Sequence, residues 1–167
     1  MYLNAAVRRE GISLPLVVKK DLNSIPGKTD PDFSLPRSKI LRGKKNFQRL
    51  FDKATVISSG TVQFRYRFYD NADERCLIGF IAPKRLASAV KRNKIKRWLR
   101  EIYRTNQAIF EELFSSSEFG FHGVFIAKTS DSSYHDLHAD MISVMQKARK
   151  QLIGFIGQKS APSPKET

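Results

Sequence analysis

At 167 residues, with 41% apolar side chains and twelve phenylalanines, the chain can build one domain around a proper core, which excludes global disorder. Its 30 Lys and Arg against 16 Asp and Glu leave +14, all of it in two stretches: residues 37–53 carry seven basic and one acidic side chain (+6), and residues 84–104 nine and one (+8). Charge focused in this way is the footprint of a nucleic-acid or anionic-membrane binder, and a spanning helix is excluded because no apolar run approaches about 20 residues.

Residues 1–36 hold Pro15, Pro26, Pro31 and Pro36, scattered charge and no sustained period. They read as a disordered extension or as the product of a start codon placed too far upstream. The run Leu14 to Val18 is too short for a signal-peptide core and is broken by Pro15. The folded domain is expected over residues 37–157, followed by a frayed tail over 158–167. Cys76 is the single cysteine, which excludes a disulfide framework and a thiolate metal cluster and suits a reducing, cytoplasmic setting.

Within the domain, Phe47, Leu50 and Phe51 at i, i+3, i+4 predict a short helix whose other face carries Lys44, Lys45, Arg49 and Lys53. Val62, Phe64, Tyr66 and Phe68 then alternate with Gln63, Arg65, Arg67 and Tyr69, the period of a half-buried strand. A turn at residues 70–73 leads to a more apolar strand from Arg75 to Ala82, and the two strands are expected to pair as a hairpin. Pro83 ends it.

From Ser88, a candidate N-cap, a basic helix follows. Ile95, Trp98, Leu99, Ile102 and Tyr103 form its buried stripe, which Ile109, Phe110 and Leu113 extend toward Phe114. Asn93, Lys94, Lys96, Arg97, Arg100 and Arg104 fall on the opposite side. A merely solvated face alternates signs, whereas this one repels itself unless a polyanion sits on it. Residues 115–117 break the helix, Phe121 to Ala127 reads as a central strand, and Ser132 or Ser133 caps a last helix lined by Leu137, Met141, Val144, Met145, Ala148 and Leu152. The order of helix, strands, helix, strand, helix makes an α+β sandwich, one sheet covered mainly on one side.

Protein-based catalysis finds little support. His135 and His138 lie three apart with Asp136 between them, but no third metal ligand is indicated and exposed histidines are the simpler reading. Glu111, Glu112 and Glu118 have no evident base or nucleophile beside them, and there is no phosphate-cradling glycine loop. A DNA-binding basic helix is a rival class, since Asn93 and Arg97 mimic part of a leucine-zipper basic region; that architecture needs heptads next, and residues 108–117 supply none.

The run Lys84-Arg85-Leu86-Ala87-Ser88-Ala89-Val90-Lys91-Arg92-Asn93-Lys94-Ile95-Lys96-Arg97-Trp98-Leu99-Arg100-Glu101 resembles the signature of the bacterial ribonuclease P protein family. Upstream, Asn46-Phe47-Gln48-Arg49-Leu50-Phe51 resembles the family's first-helix Phe-x-x-x-Phe. Downstream, Phe125-Ile126-Ala127-Lys128 resembles its last strand, and the likeness spans residues 37–155. Two positions depart from the pattern. Lys94 replaces an Arg, keeping charge but losing the bidentate fork, and Ala87 replaces a Gly, which matters only if the backbone there needs positive φ.

The resemblance implies a ribosomal-protein-S5-domain-2-like two-layer sandwich of about four strands, with a left-handed βαβ crossover carrying the basic helix against the usual rule. It implies a protein subunit that binds the catalytic RNA of ribonuclease P and the 5′ leader of precursor tRNA. The endonuclease chemistry would lie in the RNA with RNA-bound Mg2+, no metal being held by the protein alone. It assigns Lys84, Arg85, Lys91, Arg92, Asn93, Lys94, Lys96, Arg97, Arg100 and Arg104 to the catalytic RNA, with Asn93 suited to a phosphate, a 2′-OH or a metal-bound water. Phe47 and Phe51 become leader candidates, as aromatics flanked by cations. So does Tyr66, through an alignment shifted by one residue. No membrane partner is implied. A ribosomal-type RNA-binding protein shares the charge and the fold, and only the signature argues against it.

Overall fold

The structure, a computed structural model, describes residues 33–115 and 119–159; residues 1–32 of the expected extension and 160–167 of the expected tail lie outside it. Among the described residues Leu35, two positions before Arg37, lies against the main core. Short 3-10 turns occupy Arg37–Lys39, Ala72–Glu74 and Lys84–Leu86. The longer elements are α1 (Lys44–Asp52), β1 (Thr55–Ser58), β2 (Val62–Tyr69), β3 (Cys76–Ile81), α2 (Ala89–Asn106), α3 (Ala108–Ser115), β4 (Gly120–Ala127) and α4 (Tyr134–Lys159).

The strands form one mixed sheet in the order β1-β2-β4-β3. β2 runs antiparallel to both β1 and β4, while β3 and β4 are parallel. The expected hairpin between β2 and β3 is therefore overturned, because β4 lies between them. Every residue of β4 except Ile126 is buried, so this strand needs cover on both faces and neighbours on both edges, which only a central place provides. The real hairpin joins β1 to β2, with Thr55 opposite Tyr66 and Ser58 opposite Gln63. Parallel β3 and β4 need a long crossover, and α2 with α3 forms it. The outer edge of β3 is partly closed by Ile40, bridged to Ile78, and by Leu41, whose N–H donates to the Ile78 carbonyl at 2.9 Å.

Alternation sorts the two faces as expected. Val62, Phe64, Tyr66, Phe121, Phe125 and Ile78 point into the core beneath α2, α3 and α4. On the other face α1 seats Leu50 against Leu41 and Val124, flanked by Phe47, Phe51, Leu77, Ile81 and Ile126.

The basic helix does not run unbroken to Phe114. It divides at Gln107, where Asn106 Nδ2 donates to the Ile102 carbonyl at 2.8 Å and Thr105 Oγ1 to the Glu101 carbonyl at 3.0 Å. Side chains that bond back to the preceding turn weaken helix continuity. Past the break Phe110 is fully buried, its ring 6.0 Å from Phe64. The start of α4 is fixed by a reciprocal cap, in which Asp136 N–H donates to Ser133 Oγ at 3.1 Å and Ser133 N–H to Asp136 Oδ2 at 3.3 Å. Leu137, Met141, Val144, Met145, Ala148 and Leu152 are all buried along it. No helix among the described residues is long and apolar enough to cross a membrane.

Asp140 of α4 pins the β1–β2 turn. Its carboxylate accepts from Ser59 Oγ at 2.5 Å and from Thr61 N–H at 2.6 Å, and these bonds hold it below its ordinary value of 3.8. A depressed folded value means the stabilisation is complete above the unfolded pKa and is lost as pH falls through the lower folded one. Asp140→Ala should cost about 2 kcal/mol at pH 7. Urea unfolding of wild type and variant should converge as pH drops below 3.8; a gap that persists through that range would detach the effect from the carboxylate.

Candidate nucleic-acid interface

Ser88 caps α2, accepting from Lys91 N–H at 3.4 Å. Ile95, Leu99, Ile102 and Tyr103 are buried and Trp98 is half-buried against the core, so the apolar stripe sets the helix on the sheet and turns its basic side outward. Asn93, Lys94, Lys96, Arg97 and Arg100 line an open groove along that side with Val90, which is 82% exposed.

The ten signature residues divide by what already holds them. Lys91 pairs with Asp131 at 2.6 Å, and Arg104 pairs with Glu101 at 2.6 Å while also donating to the Phe33 carbonyl at 3.3 Å. These cations hold Asp131 and Glu101 below the ordinary carboxylate value, and the acids cancel charge at the two ends of the helix. Arg92 Nη1 donates to the Ala87 carbonyl at 2.7 Å and the Lys84 carbonyl at 3.4 Å, which ties down the turn before the helix. Lys94 Nζ stands 4.8 Å above the Trp98 ring and the Arg100 guanidinium 5.9 Å from Phe80. Lys84, Arg85, Lys96 and Arg97 have no acidic partner among the described residues. Uncompensated positive charge is thus concentrated before the helix and along its middle. Ala87 is extended, φ −168° and ψ 178°, so its departure from glycine carries no strain.

A second aromatic and basic patch lies on the opposite face of the sheet. Phe47 and Phe51 of α1 stack with centroids 6.3 Å apart, and Gly79 lets Phe47 approach: a Cβ there would meet its ring at 3.1 Å. The Arg65 guanidinium lies 5.3 Å from the Phe51 ring, and Arg67 Nη1 donates to the Arg49 carbonyl at 2.6 Å. Arg49 in turn pairs with Glu74 at 2.7 Å. Beneath them His122 is buried; its Nε2 lies 3.0 Å from the Glu74 carbonyl, and desolvation holds it below the usual imidazole value.

Tyr66 is not part of this patch. It is 4% exposed on the core side, 5.5 Å from Phe64, and its hydroxyl donates to Gln151 Oε1 at 2.6 Å. The structure therefore brings Phe47 and Phe51 together and leaves Tyr66 on the other face. The side chains of β2 that reach α1 are Arg65, Arg67 and Tyr69, whose ring lies 4.9 Å from the Arg49 guanidinium; none of the three is among the residues the resemblance assigns. The strand's own alternation was the signal for them, since it turns odd-numbered residues away from the core.

A family model described as Ribonuclease P matches residues 35–149. The ribonuclease P protein component of Petrotoga mobilis is 37% identical over 70 residues, which are 42% of this chain and 58% of that relative. The component from Nitrosomonas eutropha is 26% identical over 125 residues, 74% of this chain and 98% of the relative. Among solved structures, the RNase P protein of Staphylococcus aureus superposes with a TM-score of 0.54 at 21% identity, covering 66% of this chain and 94% of its own. That of Thermotoga maritima gives 0.53 at 21% identity, covering 65% and 96%. At such identities the likeness is one of fold: a mixed α+β domain with a four-stranded sheet and helices.

Proposed function

The chain belongs to the ribonuclease P protein family, and on that premise we propose that it is the protein subunit of a ribonuclease P ribozyme, binding the catalytic RNA along α2. The observation that carries this is the middle of α2, where Lys96 and Arg97 face outward with no acidic partner among the described residues. A rigid row of such cations neutralises RNA phosphates and gains affinity from counterion release. Lys84, Arg85, Lys94 and Arg100 extend the row, and Asn93 supplies a neutral donor and acceptor for a phosphate or 2′-OH. Lys91, Arg92 and Arg104 take a double part: their intramolecular bonds shape the helix ends that the RNA meets.

The Phe47–Phe51 face, with Arg65 and Arg67, suits the single-stranded 5′ leader of precursor tRNA, because π-faces beside cations bind unpaired bases without demanding a sequence. Among the described residues no three His, Cys, Asp or Glu converge as a metal site needs. In this proposal Mg2+ is held by the RNA, where phosphodiester hydrolysis takes place, and the chain positions substrate and screens charge. As a processor of precursor tRNA it would act in the cytoplasm.

Precursor-tRNA cleavage by bacterial ribonuclease P RNA at low magnesium, with and without the full chain, tests the proposal. The expected result is restored cleavage at the mature 5′ end. Tight RNA binding without rescue would instead make this a structural RNA-binding protein of the ribosomal kind. Phe51→Leu keeps apolar bulk in the small core while removing the π-face. It should weaken holoenzyme affinity for leader-bearing tRNA about fivefold or more and leave mature tRNA unchanged. Equal losses on both tRNAs would take Phe51 out of the leader site.

A further inference from the structure

The basic face of α2 does not stop at its cations. Lys94 Nζ sits 4.8 Å above the Trp98 ring, and Trp98 meets Tyr134, the first residue of α4, edge to face with centroids 5.7 Å apart at 74°. His138, one turn further along α4, has its ring 6.1 Å from that of Tyr134. Trp98 is half-buried against the core, but Tyr134 is 40% exposed. An aromatic step thus leads from the outward cations of one helix onto the start of another.

This step is held rigidly. The Lys91–Asp131 ion pair at 2.6 Å ties the β4–α4 loop to α2, and the Ser133–Asp136 cap fixes the first turn of α4. A ring fixed in advance loses little freedom when a partner stacks on it. The local charge also selects what that partner is. Asp131 and Asp136 lie within three residues of Tyr134 along the chain, and their bonds to Lys91 and Ser133 hold both below the ordinary carboxylate value, which disfavours a phosphate at the start of α4. A neutral planar group is not.

We propose that Tyr134, backed by Trp98, is a stacking platform for one unpaired nucleobase of the RNA whose phosphates lie along α2. The inference rests on the RNA-binding reading above and adds a base contact at a place where that reading supplies only backbone contacts. An unstacked base next to a neutralised backbone is what an exposed π-face beside cations recognises.

Trp98 is the sole tryptophan of the chain, so its fluorescence reports on the platform directly. The full chain would be titrated with bacterial ribonuclease P RNA across a salt series, using wild type, Tyr134→Phe, Tyr134→Leu and Tyr134→Ala, and each complex irradiated to map zero-length crosslinks by peptide mass. Wild type and Tyr134→Phe should bind alike, with quenched Trp98 emission and a crosslinked base on the peptide holding residue 134. Tyr134→Leu and Tyr134→Ala should bind about fivefold or more weaker, with an unchanged salt slope, because a lost stack removes no phosphate contact. Tight wild-type binding with Tyr134→Leu equal to it, or a flattened slope in that variant, would overturn the platform and leave the RNA-binding reading standing. Absence of wild-type binding would overturn both.

Discussion

Replacing Lys96, Arg97 and Arg100 together by alanine is expected to weaken binding of the catalytic RNA about a hundredfold at 0.15 M salt, with no loss of folding stability. The size follows from counterion release: three lost phosphate contacts lower the slope of log affinity against log salt by about 2 to 3, which compounds to about two decades between 1 M and 0.15 M salt. The three side chains make no ion pair among the described residues, so their removal leaves no stranded acid behind. Arg97 and Arg100 are exposed and Lys96 half-buried, and cations without an ion-pair partner contribute little to folding in any case. Arg92→Ala cannot separate the two effects, since Arg92 also holds the Ala87 and Lys84 carbonyls. It should lose thermal stability as well as affinity. Equilibrium binding over a salt series, with a thermal melt of each variant, checks the prediction. A triple variant with the wild-type slope would mean that the RNA lies elsewhere.

The faces of the elements that carry these residues were legible in the sequence. The stripe from Ile95 to Tyr103 fixes which side of α2 is buried, because a helix repeats every 3.6 residues whatever it packs against. Alternation along β2 likewise fixed the faces, and it already argued against Tyr66 as a leader contact: a residue in phase with Phe64 must share its burial. The order of the strands was not legible. A period of two tells which face a residue takes and says nothing about which strand lies alongside, so β4 slipped unseen between β2 and β3. β1, at four residues with one buried, was too short to raise a pattern. The pairings that sort the cations were hidden for another reason: Asp131 lies forty residues from Lys91, and the partners of Arg92 are backbone carbonyls, which no side-chain pattern displays.

The basic helix is only as firm as its seat, and Phe125 is the centre of that seat. It is fully buried in the central strand, with Phe64 at 4.3 Å, Tyr103 of α2 at 5.9 Å and Phe80 at 6.1 Å. Phe125→Ala should cost about 3–5 kcal/mol, the lost transfer energy plus a cavity that rings locked in mutual contact cannot close. For a domain of ordinary stability, about 5–15 kcal/mol, that is roughly a fifth of the total or more. Phe125→Leu, which fills most of the space, should cost less than half as much. The loss should reach the RNA in a recognisable form. Tyr103 anchors the underside of α2 and Phe80 lies below the Arg100 guanidinium, so a cavity at Phe125 loosens the row of cations without removing any. Urea unfolding should show the lowered midpoint. Salt titration of the remaining folded chain should show weaker RNA binding at the wild-type slope, the opposite of the triple cation variant. A flattened slope in Phe125→Ala would break the assignment of the α2 cations as the phosphate contacts, since no charge has been touched.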